Sequence, residues 1–114
     1  MKIGKFEDII AWQKAKELTL DWYEIYKNNN DYPFRNQIQR ASISIMNNIA
    51  EGFERKSNNE LKHFLFIAKG SSAEVRSMLN LSLELKHISK DKFDKLYETS
   101  IYISKLLSNF IKTL

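Results

Sequence analysis

The sequence predicts an all-α protein: an up-and-down antiparallel four-helix bundle, with residues 1–114 forming one domain. Three observations carry that prediction. One Pro and three Gly in 114 residues are too few for a β-rich fold, which needs turn residues every few positions. Apolar residues recur at the i, i+3, i+4 spacing of an amphipathic helix in four long segments. The joints between the segments are short, which makes consecutive helices antiparallel neighbours. The length suits one real core, not two. An apolar content of 43% with 12% aromatics is that of a folded chain.

The first helix is predicted from about Asp8 to Lys27. Trp12, Ala15, Thr19, Trp22 and Tyr26 share one face, with Lys14, Lys16, Glu17, Asp21 and Glu24 largely opposite. Asn28-Asn29-Asn30-Asp31 stops it, because short polar side chains compete with the helix backbone for hydrogen bonds. The second helix is predicted from Pro33 to Phe53, with Pro33 in the first turn, where its missing N–H is not needed. It has two apolar stripes: Ile38, Ala41, Ile45 and Ile49, then Ile43, Met46, Ala50 and Phe53. A helix apolar on two sides is buried on two sides. The second stripe therefore points to another subunit, with Ile43 and Met46 as the oligomer interface.

Gly52 and Ser57 bracket the next joint, and Ser57-Asn58-Asn59-Glu60 reads as a capping box. The third helix is predicted from Asn58 to about His87. Leu61, Phe64, Leu65, Ala68, Ser72, Val75, Leu79 and Leu83 hold its core face. Gly70, Ser71, Ser72 and Ala73 sit in its middle, where Gly costs about 1 kcal/mol relative to Ala. They are read as small residues that let two helices come close. Ser89 caps a fourth helix, Lys90 to Lys112, whose stripe is Phe93, Leu96, Tyr97, Ser100, Ile101, Ser104, Leu107 and Ile111.

No catalytic constellation emerges. The chain has no Cys, and neither His has a recognisable Ser or Asp arrangement around it. No Gly-rich loop opens a helix after a strand to cradle phosphate. Glu60-x-x-His63 and Glu84-x-x-His87 imitate half of a di-iron bundle site. Both lie on the third helix, about 36 Å apart along its axis, so they cannot share one dinuclear centre. No metal and no cofactor are expected. Asn47, Asn48, Glu51 and Arg55 are read as a structural polar network, since Glu51 and Arg55 have the i, i+4 order of an ion pair. No signal peptide and no apolar run of the roughly 20 residues a membrane span needs are visible, which points to a cytoplasmic protein. The net charge is +4, mild and spread along the chain, which permits a polyanion partner.

Gln37-Ile38-Gln39-Arg40-Ala41-Ser42-Ile43-Ser44-Ile45, Asn48-Ile49-Ala50-Glu51-Gly52, Arg55, Phe64-Leu65 and Ala68-Lys69-Gly70-Ser71-Ser72-Ala73-Glu74 resemble the signature of the bacterial four-helix bundle proteins called 23S rRNA intervening sequence proteins. Phe6-Glu7-Asp8 with Trp12 and Ala15 also fits their opening. The resemblance covers nearly the whole chain; only the Asp31-Tyr32-Pro33-Phe34 joint is shorter than in many relatives. It implies an up-down bundle that assembles as a ring, commonly a homopentamer. Relatives include the accessory protein of diversity-generating retroelements, a basic pentameric barrel that binds nucleic acid and a reverse transcriptase. For most members the resemblance implies no assigned activity.

Two functions stay open. One is a non-enzymatic oligomer that binds nucleic acid, RNA ahead of DNA, through a basic ring surface. Lys86, Lys90, Lys92 and Lys95, with His87, form the densest basic group, interrupted by Asp91 and Asp94. The other is an oligomeric scaffold or adaptor that docks another protein and has no nucleic-acid role.

Overall fold

The computed structural model describes residues 3–114. A 3-10 turn over Phe6–Asp8 precedes four helices: α1 (Ile10–Tyr26), α2 (Tyr32–Phe53), α3 (Asn58–Glu84) and α4 (Lys90–Lys112). No strand occurs among the described residues. Each helix packs against its sequence neighbours, and α4 closes the ring on α1. The bundle measures 42 × 22 × 19 Å, so its long axis is the length of its helices.

The helix ends follow local chemistry. The sequence places the start of the first helix at Asp8. Instead the chain makes the 3-10 turn first, where Gln13 Nε2 donates to Glu7 O at 2.9 Å and the Phe6 ring meets the Trp12 ring edge-on at 5.3 Å. Asp31 caps α2 by accepting from the Phe34 N–H at 3.3 Å, which leaves Pro33 inside the first turn. Ser57 caps α3 by accepting from the Glu60 N–H, and Ser89 caps α4 through the Lys92 N–H.

The third helix ends at Glu84, three residues before the predicted His87. Lys86 takes φ 60°, the left-handed conformation. The Lys86 N–H donates to Leu83 O at 3.0 Å and the His87 N–H to Ser82 O at 2.9 Å. These are the two bonds of a Schellman motif. Its left-handed position normally carries Gly, and a Lys there gives no warning in the sequence.

The core is built largely from the predicted stripes: Ala15, Trp22 and Tyr26 from α1, Ile38, Ile45 and Ile49 from α2, Leu65, Ala68, Val75 and Leu79 from α3, and Leu96 and Leu107 from α4 are buried, and Leu18 and Ile103, which lie outside those stripes, are buried with them. The double stripe of α2 has an explanation within the chain. This helix lies between α1 and α3, and Met46 packs against the core with its Sδ accepting from Thr19 Oγ1 of α1 at 3.7 Å. The second stripe therefore does not by itself require another subunit.

Candidate nucleic-acid interface

The joint between α3 and α4 carries the lysines singled out in the sequence. Lys86, Lys90, Lys92 and Lys95 are all exposed. Lys90 is neutralised by Asp94 at 2.8 Å and lies over the Phe93 ring. Lys92 and Lys95 fall on a different side of α4 from Lys90, given 100° per residue, so the four do not form one patch.

His87 leaves this group altogether. Its side chain is only 15% exposed and turns inward, edge-on to the Tyr26 and Phe34 rings. Its Nδ1 lies 2.9 Å from Tyr26 Oη, and Nε2 faces Asp31 Oδ2 at 3.8 Å. The carboxylate favours the tautomer with its proton on Nε2, in which Nδ1 accepts from Tyr26. Tyr26 Oη also shares a 2.8 Å hydrogen bond with Ser82 Oγ. Burial pushes the Tyr26 phenol up to about 12, against the Ser82 hydrogen bond, with Asp31 adding to the rise. This cluster ties α1 to the end of α3 and the start of α2. Sequence reasoning missed it, because it depends on where the inter-helix joint turns.

Asn47, Asn48, Glu51 and Arg55 do not form one buried network. Asn47, Glu51 and Arg55 are exposed. The predicted Glu51–Arg55 ion pair is present at 2.7 Å, with the guanidinium over the Phe64 ring at 4.8 Å. Asn48 points elsewhere: its Nδ2 donates to Ser44 O at 2.8 Å and Ser44 Oγ at 3.0 Å. Ser44 Oγ shares a 2.9 Å hydrogen bond with Ser71 Oγ, and Gln37 Nε2 donates to Glu74 at 2.6 Å. Polar residues from both quoted motifs thus stitch α2 to α3.

The small residues of α3 divide. Ser71 meets α2 in this way, and Ser72 is fully buried, donating to Ser100 O of α4 at 3.1 Å. Gly70 and Ala73 face outward, and a Cβ built on Gly70 meets nothing within 4 Å. No helix of this chain approaches closely there. The close approach is at Gly52, where an added Cβ would lie 2.7 Å from Phe64 Cβ. Ile43, the other proposed interface residue, is half-buried.

The outer face of α3 is more apolar than the sequence reading suggested. Phe66 and Leu81 are 52% and 49% exposed, and Ile67 and Leu85 are exposed beside them. Gly70, Ala73 and Ser77 lie between them. Among the described residues no three His, Asp or Glu side chains converge in a metal-binding group. No helix of the described chain is long and apolar enough to cross a membrane.

Comparison with known proteins agrees with this architecture. No curated protein matches the chain. A solved crystal structure from Bacteroides thetaiotaomicron, a protein of unknown function from the S23 ribosomal protein family, superimposes with a TM-score of 0.83 at 25% identity, covering 90% of this chain and 96% of that one. The family profile of the 23S rRNA-intervening sequence proteins matches residues 7–109, and the chain belongs to that family.

Proposed function

We propose that the chain is a non-enzymatic, self-assembling bundle that binds nucleic acid through its phosphates. The observation that carries this reading is the charge of the surface. Lys14, Lys27, Arg55 and Lys90 have carboxylate partners; the remaining lysines and arginines have none among the described residues. Unpaired cations on a chain of net charge +4 favour a polyanion, which gains affinity by releasing counterions. The family names of the relatives refer to ribosomal RNA and ribosomal proteins, which supports RNA over DNA in this reading.

Self-assembly is supported by the exposed Phe66, Ile67 and Leu81 of α3 with Leu85 at its C-cap, an apolar stripe of a kind that marks interaction surfaces. Five subunits is the number the family resemblance implies. A ring would repeat each weak cationic site and raise affinity through effective concentration. The same stripe favours a second reading, a scaffold that docks another protein. Retention on immobilised RNA separates the two. Elution that shifts steeply with salt supports nucleic-acid binding; passage unretained at low salt leaves the scaffold.

A further inference from the structure

Unpaired cations also gather away from the joint between α3 and α4. Arg76 Nη1 donates to Ser104 Oγ at 2.7 Å, Ser72 Oγ at 3.2 Å and Ser100 O at 3.4 Å, and Ser104 Oγ donates to Ser72 Oγ at 3.1 Å. These bonds fix the antiparallel register of α3 against α4. In that register Lys69 falls opposite Lys105, and Lys62 opposite Lys112.

Lys62, Lys69 and Arg76 recur every seventh residue of α3, which puts them on one face about 10.5 Å apart. All three are half-buried: the Arg76 head is turned into the junction by its serine bonds, and the lysine stems suit a position along a helix junction with the ammonium in water. Across the junction, Ser104, Lys105, Ser108, Asn109 and Lys112 line one surface depression of α4. None of the five cations is in an ion pair among the described residues.

No acid lies between the two lysine rungs. Asp91 and Asp94 belong to the first turns of α4 and Glu84 ends α3, while Glu98 stands seven residues before Lys105 on the same face of α4, level with Arg76. Glu74 is held on the α2 side by Gln37, and Glu60 sits in the first turn beside its Ser57 cap. Two successive rungs of facing lysines with no carboxylate between them repel each other. An anion in the groove turns that repulsion into attraction.

We infer that the groove between α3 and α4, carrying Lys62, Lys69, Arg76, Lys105 and Lys112, is a track for a nucleic-acid phosphate backbone. The inference rests on the nucleic-acid reading above and gives it a location. Cations at regular intervals on both walls suit a repeating anion rather than a single phosphate. Ser108 and Asn109 add hydroxyl and amide donors, and no aromatic ring lines the depression on which a base could stack. Contacts confined to the backbone position a strand without reading its sequence, so binding is tolerant of sequence.

The test compares two variants of the full chain, K62Q/K69Q/K105Q/K112Q in the groove and K86Q/K92Q/K95Q at the joint. Each is titrated with a labelled single-stranded RNA of about 20 nucleotides and with a duplex of the same length, over a series of salt concentrations. Circular dichroism and thermal melting confirm that both variants keep the fold. The groove variant is expected to bind more weakly and, on single strands, to lose roughly three units of salt slope, about 0.7 for each lost contact. The joint variant is expected to retain the parent's slope. If the groove variant keeps parental affinity and slope while the joint variant loses both, the groove assignment is wrong and the nucleic-acid reading survives. If the parent binds neither RNA at low salt, the reading itself fails and the groove with it.

Discussion

The hydroxyl of Tyr26 lies 2.9 Å from Nδ1 of His87, so one buried phenol near the end of α1 meets the residue at which the chain leaves α3. Ser82 shares the same oxygen at 2.8 Å. Tyr26→Phe removes the partner of both groups while keeping the ring that stacks on Phe34 at 5.7 Å. Leaving buried polar groups unpartnered costs about 1–3 kcal/mol, and chemical denaturation should report a loss of that size.

The same substitution should change the response to alkali. The folded-state pKa of Tyr26 is about 12, against an ordinary value of 10.0. Between these values the unfolded chain releases its proton and the folded chain retains it. The stability gained from keeping the phenol neutral is complete below pH 10 and is lost as pH rises towards 12. Across that window the parent should lose more stability than Tyr26→Phe. Parallel losses would show that Tyr26 is not the group responsible.

Two glycines should respond to Ala with opposite signs. At Gly70 nothing lies within 4 Å of an added Cβ, so the helix-propensity gain of about 1 kcal/mol should appear nearly whole in the stability of the subunit. At Gly52 the new methyl would sit 2.7 Å from Phe64 Cβ, an atom fixed to the backbone. Separating α2 from α3 there should cost more than propensity returns, for a net loss of about 1–2 kcal/mol. Melting curves of the two variants decide it.

Ser42 and Ser72, two of the four fully buried serines, should also diverge. Ser42 Oγ has no hydrogen-bond partner among the described residues, so Ser42→Ala removes an uncompensated polar group and should stabilise by about 1 kcal/mol. Ser72 donates to Ser100 O and accepts from Arg76 and Ser104. Ser72→Ala breaks that set and should destabilise by about 1–2 kcal/mol. Denaturant midpoints at constant slope provide the comparison.

Periodicity made the four helices and most of the core legible, because each stripe depends only on residues three and four apart. Features set by contacts between helices were not legible. Periodicity alone runs α3 past its end, because Lys86 occupies a left-handed position without the Gly that usually marks one. The second stripe of α2 reads as an interface with another subunit, although a helix in a closed bundle faces two neighbours and Met46 meets Thr19. Spacing assigns Gly70 to close packing and Gly52 only to a joint, since a small residue does not reveal which face of its helix is covered. The serine cluster around Arg76 requires the register of α3 against α4, which no local spacing contains.

If the outer face of α3 is where subunits meet, Phe66→Asp and Leu81→Asp should each dissociate the assembly while helicity is preserved, because both residues are exposed in the single chain. Ile43→Asp, at the half-buried rim of α2, should affect mass less. Dissociation by Ile43→Asp alone would return the interface to α2.

The most direct measurement is light scattering of the protein mixed with RNA at low salt, on a sizing column with absorbance read at 260 nm. The account predicts a particle of several 13.5 kDa subunits that carries the RNA absorbance with it. A 13.5 kDa monomer eluting apart from the RNA would contradict it.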